Sequence, residues 1–220
     1  DIADKGANGQ RSDRRLFMQF LAYGQCTAPE AVIDAIKSSG IEAVVYEDLH
    51  DPFGIGLVTM SENPGFFVDR LRPVLRREPF ASMTLKPGYT MFGRAYSLGY
   101  EQDLEHTLLH RPRERALNPD WPWAVWYPLR RSGAFTQLPA EKQKQILKEH
   151  GQIGMAFGAA DYAHDIRLAC HGLDTNDNDF VVGLVGKELS PLSAVVQRMR
   201  STEQTSQYLT SLGPFFIGRA

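Results

Sequence analysis

The feature that most constrains the fold of this chain is an order of secondary structure that occurs twice. A strand-like run at 15–24 precedes a helical pattern at 28–40, and two strands, a helix and a strand follow before residue 100. The same order recurs after residue 121, although the two halves share it without residue-level identity. Each half reads β-α-β-β-α-β, the order of a ferredoxin-like unit. We therefore predict an α+β fold of two tandem ferredoxin-like domains, of the dimeric α+β barrel type, with antiparallel sheets covered by helices.

Polar and turn-forming segments give the expected boundaries. Residues 1–13 are polar and contain glycine, which predicts a mobile N-terminal tail. Residues 101–121 combine prolines with many charges, which is typical of a connection between two units. We expect an N-terminal ferredoxin-like domain at 14–100 and a C-terminal one, which carries the functional site, at 122–220.

The composition is that of an ordinary globular protein. Hydrophobic residues make up 43% and charged residues 23%, with 24 Lys+Arg against 26 Asp+Glu. This balance gives no indication of a nucleic acid or an acidic membrane surface as partner. No apolar run approaches the ~20 residues that span a bilayer, so we expect a soluble protein, either cytoplasmic or periplasmic. Cys26 and Cys170 lack the CxxC spacing of zinc or redox sites and are interpreted as packing residues.

One histidine has an unusual setting in the helix predicted at 138–158. His150 shares a helical face with Ile146 and Ile153, so its side chain points toward the core. It is either a buried histidine bonded to a backbone carbonyl or a ligand. The next turns carry three glycines, Gly151, Gly154 and Gly158. Each costs about 1 kcal/mol of helix stability relative to alanine, yet together they clear space for a flat, bulky group such as a haem.

Five other residues are candidates for a site around His150. A histidine that binds iron usually donates its other N–H to a carboxylate, for which Glu203 is the candidate unless it is merely a solvated acid. Arg131 ends a strand and could pair with a haem propionate. Arg167 interrupts an apolar strand and either faces water or points inward with a functional role. Tyr127 and Phe135, taken alone, are core aromatics.

Five stretches of the second half resemble the chlorite dismutase family, which includes chlorite-splitting enzymes and coproheme decarboxylases. They are WYPLRRSGAF, LPAEKQKQILKEHGQIG, DIRLACHGLDTNDNDF, LVGKELSPLSAVVQRMRSTEQTSQY and GPFFIGR. The resemblance implies paired ferredoxin-like domains with haem b, or alternatively iron coproporphyrin III, in the C-terminal half. It also implies a ring-like homo-oligomer, commonly a pentamer.

The same resemblance implies roles for individual residues. His150 falls on the proximal iron ligand of the family, and Glu203 on the carboxylate that hydrogen-bonds this ligand. Arg131 falls on a basic residue that contacts a propionate. Arg167 falls on the distal position, which is arginine in chlorite-splitting members and commonly glutamine or alanine in decarboxylases.

Three activities follow as alternatives. The first is conversion of chlorite to chloride and dioxygen, in which Arg167 holds the anion near the iron. The second is decarboxylation of iron coproporphyrin III with hydrogen peroxide, since Tyr127 resembles the radical-relay tyrosine of decarboxylases. Phe135 stands where chlorite-splitting enzymes have a tryptophan, which weakens the first. The third is haem binding without turnover. We rank chlorite conversion first because of Arg167.

Overall fold

The computed structural model describes residues 2–220, in which strands and helices alternate as the sequence predicts. The strands are β1 (Asp4–Lys5), β2 (Arg11–Ser12), β3 (Phe17–Gly24), β4 (Ala43–Asp48), β5 (Ile55–Ser61), β6 (Thr84–Leu85), β7 (Met91–Ala95), β8 (Trp123–Arg131), β9 (His164–Ala169), β10 (Phe180–Gly186), β11 (Leu209–Leu212) and β12 (Phe216–Arg219). The α-helices are α1 (Pro29–Ser39), α2 (Arg72–Leu75), α3 (Arg111–Ala116), α4 (Gly133–Thr136), α5 (Ala140–Ala159), α6 (Leu189–Arg200) and α7 (Glu203–Tyr208). Two π-helical turns, Phe67–Leu71 and His106–His110, lead into α2 and α3.

Eight of these strands form a closed antiparallel barrel. Their order is β10-β9-β7-β3-β5-β4-β12-β8, and β8 pairs with β10 to close the ring. Strands β3, β4, β5 and β7 come from the first half, and the halves meet at the β7–β9 and β4–β12 pairs. Within each half the order of strands is that of a ferredoxin-like sheet, so the predicted α+β fold of two ferredoxin-like units is confirmed. Closure leaves the barrel without an exposed edge.

The two faces of the barrel wall contact different cores. Trp126 of β8 points inside the barrel, where its ring centroid lies 5.8 Å from that of Phe20. Gly183 of the paired strand β10 leaves room for this indole, because a Cβ there would lie 2.6 Å from it. Tyr127, the next residue of β8, points outward toward the helices, as alternation along a strand requires. The outward face therefore forms a second layer, between sheet and helices.

The segments outside the two expected domains are also structured. Residues 101–121, predicted as a connection, contain the turn His106–His110 and helix α3, and Leu108 and Leu109 are buried in the cluster inside the barrel. Pro112 is a loop signal in the sequence, but it occupies the first turn of α3, where proline is tolerated. Within the expected tail, β1 and β2 form a small hairpin.

The structure also bears on the two cysteines and on membrane-spanning helices. Cys26 and Cys170 are free and buried, which agrees with their interpretation as packing residues. No helix in the described part of the chain is both long and apolar enough to cross a bilayer.

Candidate functional site

A cavity of about 450 Å³ lies between the barrel wall of the second half and helices α5, α6 and α7. Strands β8 and β10 contribute Tyr127, Leu129, Val182 and Leu184 to its wall, and β9 contributes Arg167. The volume falls in the range of roughly 300 to 1,000 Å³ that is typical of small-molecule and cofactor sites. The wall is largely apolar, with a few charged groups collected at one side.

The three glycines that follow His150 all line this cavity. They lie three and four residues apart and so share one face of α5. A Cβ at Gly151 would meet nothing within 4 Å, one at Gly154 would lie 3.6 Å from Met199 Cε, and one at Gly158 would lie 3.8 Å from the Ala163 oxygen. No protein atom packs tightly against this face. The glycines therefore form an open wall of the cavity.

The hydrogen bonds of His150 define which ring nitrogen is free. Nδ1 lies 3.3 Å from Thr202 Oγ1, and this hydroxyl is 2.7 Å from the Met199 carbonyl oxygen. A threonine hydroxyl has one hydrogen, which it donates to the carbonyl, so the Nδ1–H of His150 donates to Thr202. Among the described residues nothing hydrogen-bonds Nε2. His150 lines the cavity, and its Nε2 lone pair is available to a ligand there.

The surroundings of His150 also keep its ring neutral. Burial lowers the pKa of His150 to about 4, and the positive charges of Arg131 and Arg167 act in the same direction. At neutral pH the imidazole is therefore uncharged, which is the form that binds metals.

Glu203 is not the partner of His150 in the structure. Its Oε2 lies 2.8 Å from Lys142 Nζ in an ion pair on the outer side of α5 and α7. Thr202, one residue earlier, caps α7 by accepting a hydrogen bond from the Thr205 N–H, and this cap directs its hydroxyl to His150. The chain breaks between these helices, since α6 ends at Arg200 and α7 begins at Glu203. A threonine before the helix-forming run was the available signal for this break.

Arg131 and Phe135 pack against each other and do not line the cavity. The guanidinium carbon of Arg131 lies 4.5 Å from the ring centroid of Phe135 and 4.9 Å from that of Phe180. Burial lowers the pKa of Arg131, and its buried Nε has no hydrogen-bond partner. Phe135 is buried edge-to-face against Tyr208 at 5.6 Å. Of the six predicted site residues, the structure therefore brings His150, Tyr127 and Arg167 to the cavity, whereas Arg131, Phe135 and Glu203 lie outside its wall.

Tyr127 does face the cavity. Its ring stacks on Phe215 with the centroids 4.6 Å apart, and no described residue hydrogen-bonds its hydroxyl. Burial raises the pKa of Tyr127, and the negative charge of Asp165 raises it further. The side chain therefore presents a neutral phenol to the cavity at physiological pH.

Arg167 adopts the inward of the two arrangements considered for it. It lines the cavity, where its Nε lies 2.9 Å from Asp165 Oδ2. Arg115 Nη1 lies 2.7 Å from the other oxygen of Asp165 and also donates to its backbone carbonyl. Burial alone would raise the pKa of Asp165, but the nearby arginines outweigh it and the pKa is lowered. Arg115 belongs to the segment 101–121, which the sequence analysis treats as a connection and not as part of the site.

The fold and the cavity together define the class of this protein. It is a barrel of two ferredoxin-like units in which the second unit carries a cavity lined by a histidine. Among residues 2–220, no group of three or more His, Cys, Asp or Glu side chains could hold a metal ion by itself. The family model described as chlorite dismutase matches residues 67–220. The chain belongs to the chlorite dismutase family.

Solved structures agree with this assignment at the level of the fold. A heme-binding protein from Thermus thermophilus is 18% identical, with a TM-score of 0.72 over 94% of this chain and 90% of that one. The chlorite dismutase of Candidatus Nitrospira defluvii in complex with imidazole is 14% identical, with a TM-score of 0.69 over 94% of this chain and 91% of the other. No curated protein sequence matches the chain.

Proposed function

We propose that this protein binds haem b in the cavity of its second half and converts chlorite to chloride and dioxygen. The observation that carries the proposal is the Nε2 of His150, which is unprotonated, free of partners and placed beside an open glycine face. His150 would hold the haem through its iron.

The residues present fit a flat tetrapyrrole. The cavity is large and mostly apolar, and the glycine face of α5 offers a surface without side chains. The buried Oε1 of Gln204 lines the same cavity without a hydrogen-bond partner, as expected where a ligand atom completes the wall. Similarity in fold to a heme-binding protein and to a chlorite dismutase supports the same choice.

The chain's own residues would position the haem and the anion. Bound haem would supply iron-centred redox chemistry. Thr202 holds the ring of His150 in one orientation and one tautomer. Arg167 places positive charge in a partly dry cavity, where it attracts chlorite and retains the anion during the reaction. Leu129 and Leu184 keep water from the apolar part of the wall. Chlorite itself supplies every atom of chloride and dioxygen, so no co-substrate is needed.

The direct test is chlorite addition to haem-loaded protein in an oxygen electrode. We expect prompt release of dioxygen from the wild type and at least a tenfold slower release from Arg167→Gln, which loses the retained charge. His150→Ala should lose the Soret band shift of the bound haem, whereas the exposed His110→Ala should keep it. A wild-type protein that binds haem and releases no dioxygen would exclude the chlorite reaction.

A second candidate is peroxide-dependent decarboxylation of iron coproporphyrin III, and the position of Tyr127 favours it. The free phenol of Tyr127 faces the cavity, so Tyr127 would be the residue of this chain that carries a radical if iron coproporphyrin III were bound there. Mass spectrometry of the porphyrin after hydrogen peroxide addition tests this reaction. Equal conversion by Tyr127→Phe would remove the tyrosine from the mechanism.

Two further expectations accompany these alternatives. A normal Soret band with neither reaction would indicate a haem-binding protein without turnover. The ring-like homo-oligomer, with a pentamer favoured, stays a prediction that analytical ultracentrifugation of the haem-loaded protein can test.

A further inference from the structure

We propose that Arg111 is the centre of an anion subsite at the charged side of the cavity, with Arg115 and Arg167 beside it. The subsite would bind one carboxylate group or one small oxyanion. The subsite opens into the cavity proposed to bind haem, and in this respect alone the inference rests on the proposed function.

The carboxylate of Asp165 lies among these arginines. Asp165 Oδ1 is 2.7 Å from Arg115 Nη1, and Asp165 Oδ2 is 2.9 Å from Arg167 Nε. Both oxygens of Asp165 are therefore engaged by two different guanidinium groups. Asp165 has no oxygen left to form an equally close pair with a third cation.

Arg111 is this third cation. It lines the main cavity and also the small adjoining pocket, whose wall includes Asp165 and Arg167. Within residues 2–220 its guanidinium makes neither an ion pair nor a hydrogen bond. Half-buried arginines normally find a partner for their five N–H donors, so Arg111 is conspicuous in this position.

The other acidic residue of this wall is also occupied. Glu101 Oε1 accepts a hydrogen bond from the Leu98 N–H at 2.8 Å, and its Oε2 accepts from the backbone N–H groups of Gly99 and Tyr100 at 2.9 and 3.0 Å. These bonds stabilise the loop at residues 98–101, and they engage both carboxylate oxygens of Glu101. Glu101 thus moderates the local positive charge without pairing with Arg111.

The electrostatic surroundings of Arg111 favour the binding of an anion. Burial lowers the pKa of Arg111, and the like charges of Arg115 and Arg167 lower it further. Of the three guanidinium groups at this part of the cavity wall, those of Arg115 and Arg167 pair with Asp165, so Arg111 has no close carboxylate among the described residues. An entering anion would relieve this repulsion and accept the unused N–H groups of Arg111.

The geometry of a guanidinium indicates the class of ligand. Its planar fork matches the two oxygens of a carboxylate or the flat face of a small oxyanion. Such a group could be a free anion in solution or a carboxylate substituent of the tetrapyrrole in the cavity. Both sources share the same recognition chemistry, and the experiment below separates them.

The test uses the full chain without porphyrin and sodium acetate as the probe. Isothermal titration at constant ionic strength should show saturable acetate binding to the wild type and about tenfold or greater weakening in Arg111→Gln. Arg113→Gln is the matched control, because Arg113 lies on the same helix but pairs with Glu42 at 2.7 Å outside the cavity. Arg111→Lys keeps the charge and should retain part of the affinity.

Two outcomes would overturn the subsite. One is the absence of saturable acetate binding by the wild type, and the other is equal affinity in Arg111→Gln. Circular dichroism melting of each variant shows whether it is folded. Should Arg111→Gln not fold, Arg111→Lys answers the question alone, since loss of the planar fork should still weaken acetate binding severalfold.

A second pair of titrations identifies the source of the anion. If a tetrapyrrole carboxylate occupies the subsite, Arg111→Gln weakens the binding of haem but not of haem dimethyl ester, and haem-loaded protein no longer binds acetate. If the subsite serves a free anion, haem affinity is unchanged and haem-loaded protein still binds acetate. Acetate binding without any haem binding would refute the proposed function and leave the subsite in place.

Discussion

The two halves of the barrel share one order of strands and helices, yet the layer between sheet and helices differs in each. In the first half this layer is filled by side chains, including Tyr23, Ile36, Leu57 and Phe80. In the second half the corresponding layer encloses a cavity of about 450 Å³. One fold therefore produces a closed core on one side of the barrel and an open cavity on the other.

The pairing of strands shows which positions correspond. In the first half Leu57 pairs with Leu21, and Tyr23 lies two residues further along β3. In the second half Leu184 pairs with Val125, and Tyr127 lies two residues further along β8. Tyr23 and Tyr127 are thus matched tyrosines, and Leu57 and Leu184 are matched leucines.

The difference between the halves comes from the helices that cover these matched positions. Helix α1 has 11 residues and buries Val32 and Ile36 on the sheet. Helix α5 has 20 residues and buries only Ile146, while its glycine face borders open space. The covering helix of the first half thus fills the layer beneath it, whereas the glycine face of α5 leaves part of that layer open.

The largest expected effect is the cost of truncating the matched leucines. Leu57→Ala should destabilise the protein by ~2–5 kcal/mol, because it leaves a void among packed side chains. Leu184→Ala should cost less than half as much, since that side chain already borders a cavity. Urea unfolding of the two variants without haem measures both values. Equal losses would mean that the cavity wall packs as tightly as the first-half core.

Filling the cavity should make the second half resemble the first. Gly154→Leu places a side chain where the wall is open, so haem affinity should fall by roughly 10- to 100-fold, as overpacking of ~1–3 kcal/mol implies. The same change removes a helix-interior glycine and should stabilise the haem-free protein by up to about 1 kcal/mol. Soret titration and urea unfolding record the two opposite changes. Unchanged haem affinity would place the ligand elsewhere.

A smaller effect tests the partner of His150 within the second half. Thr202→Val removes the hydroxyl that accepts the Nδ1–H, and haem affinity should fall by about tenfold, as is typical when a ligand loses its orienting hydrogen bond. The loss of the α7 cap should add about 1 kcal/mol of instability. Glu203→Gln is the control, because Glu203 pairs with Lys142. If Glu203→Gln lowered haem affinity more than Thr202→Val did, Glu203 and not Thr202 would be the partner of His150.

The smallest effect concerns the first-half tyrosine. Burial raises the pKa of Tyr23 to about 12, whereas the unfolded chain has a tyrosine pKa near 10. Stability from the neutral phenol is complete below about pH 10 and is lost as the pH rises through about 12, because the unfolded state ionises first. The free energy of unfolding of the wild type should therefore fall by roughly 1 kcal/mol more than that of Tyr23→Phe when the pH is raised to 11. Identical unfolding curves for the variant and the wild type from pH 9 to pH 11 would contradict the closed first-half core.

The sequence predicted the strands and helices of both halves well, because periodicity and turn residues act over a few neighbours. Strand β8 begins and ends where the apolar run from Trp123 to Arg131 does. It also predicted that His150 faces inward and that three glycines clear space beside it, since both follow from the turn of one helix. The helical turns of the connecting segment were missed, because Pro112 resembles a loop signal until tertiary packing is known.

By itself, then, the sequence determined the repeated order of elements and the open face of α5 with its histidine. Only the tertiary structure decided which groups meet there. Thr202 replaces Glu203 because a helix cap one residue away turns the neighbouring side chain outward. Arg111 and Arg115 reach the cavity because α3 packs on β9, far from them in sequence. Local patterns specify the direction of a side chain on its own element, whereas a site also requires the contacts between distant elements, which no local pattern contains.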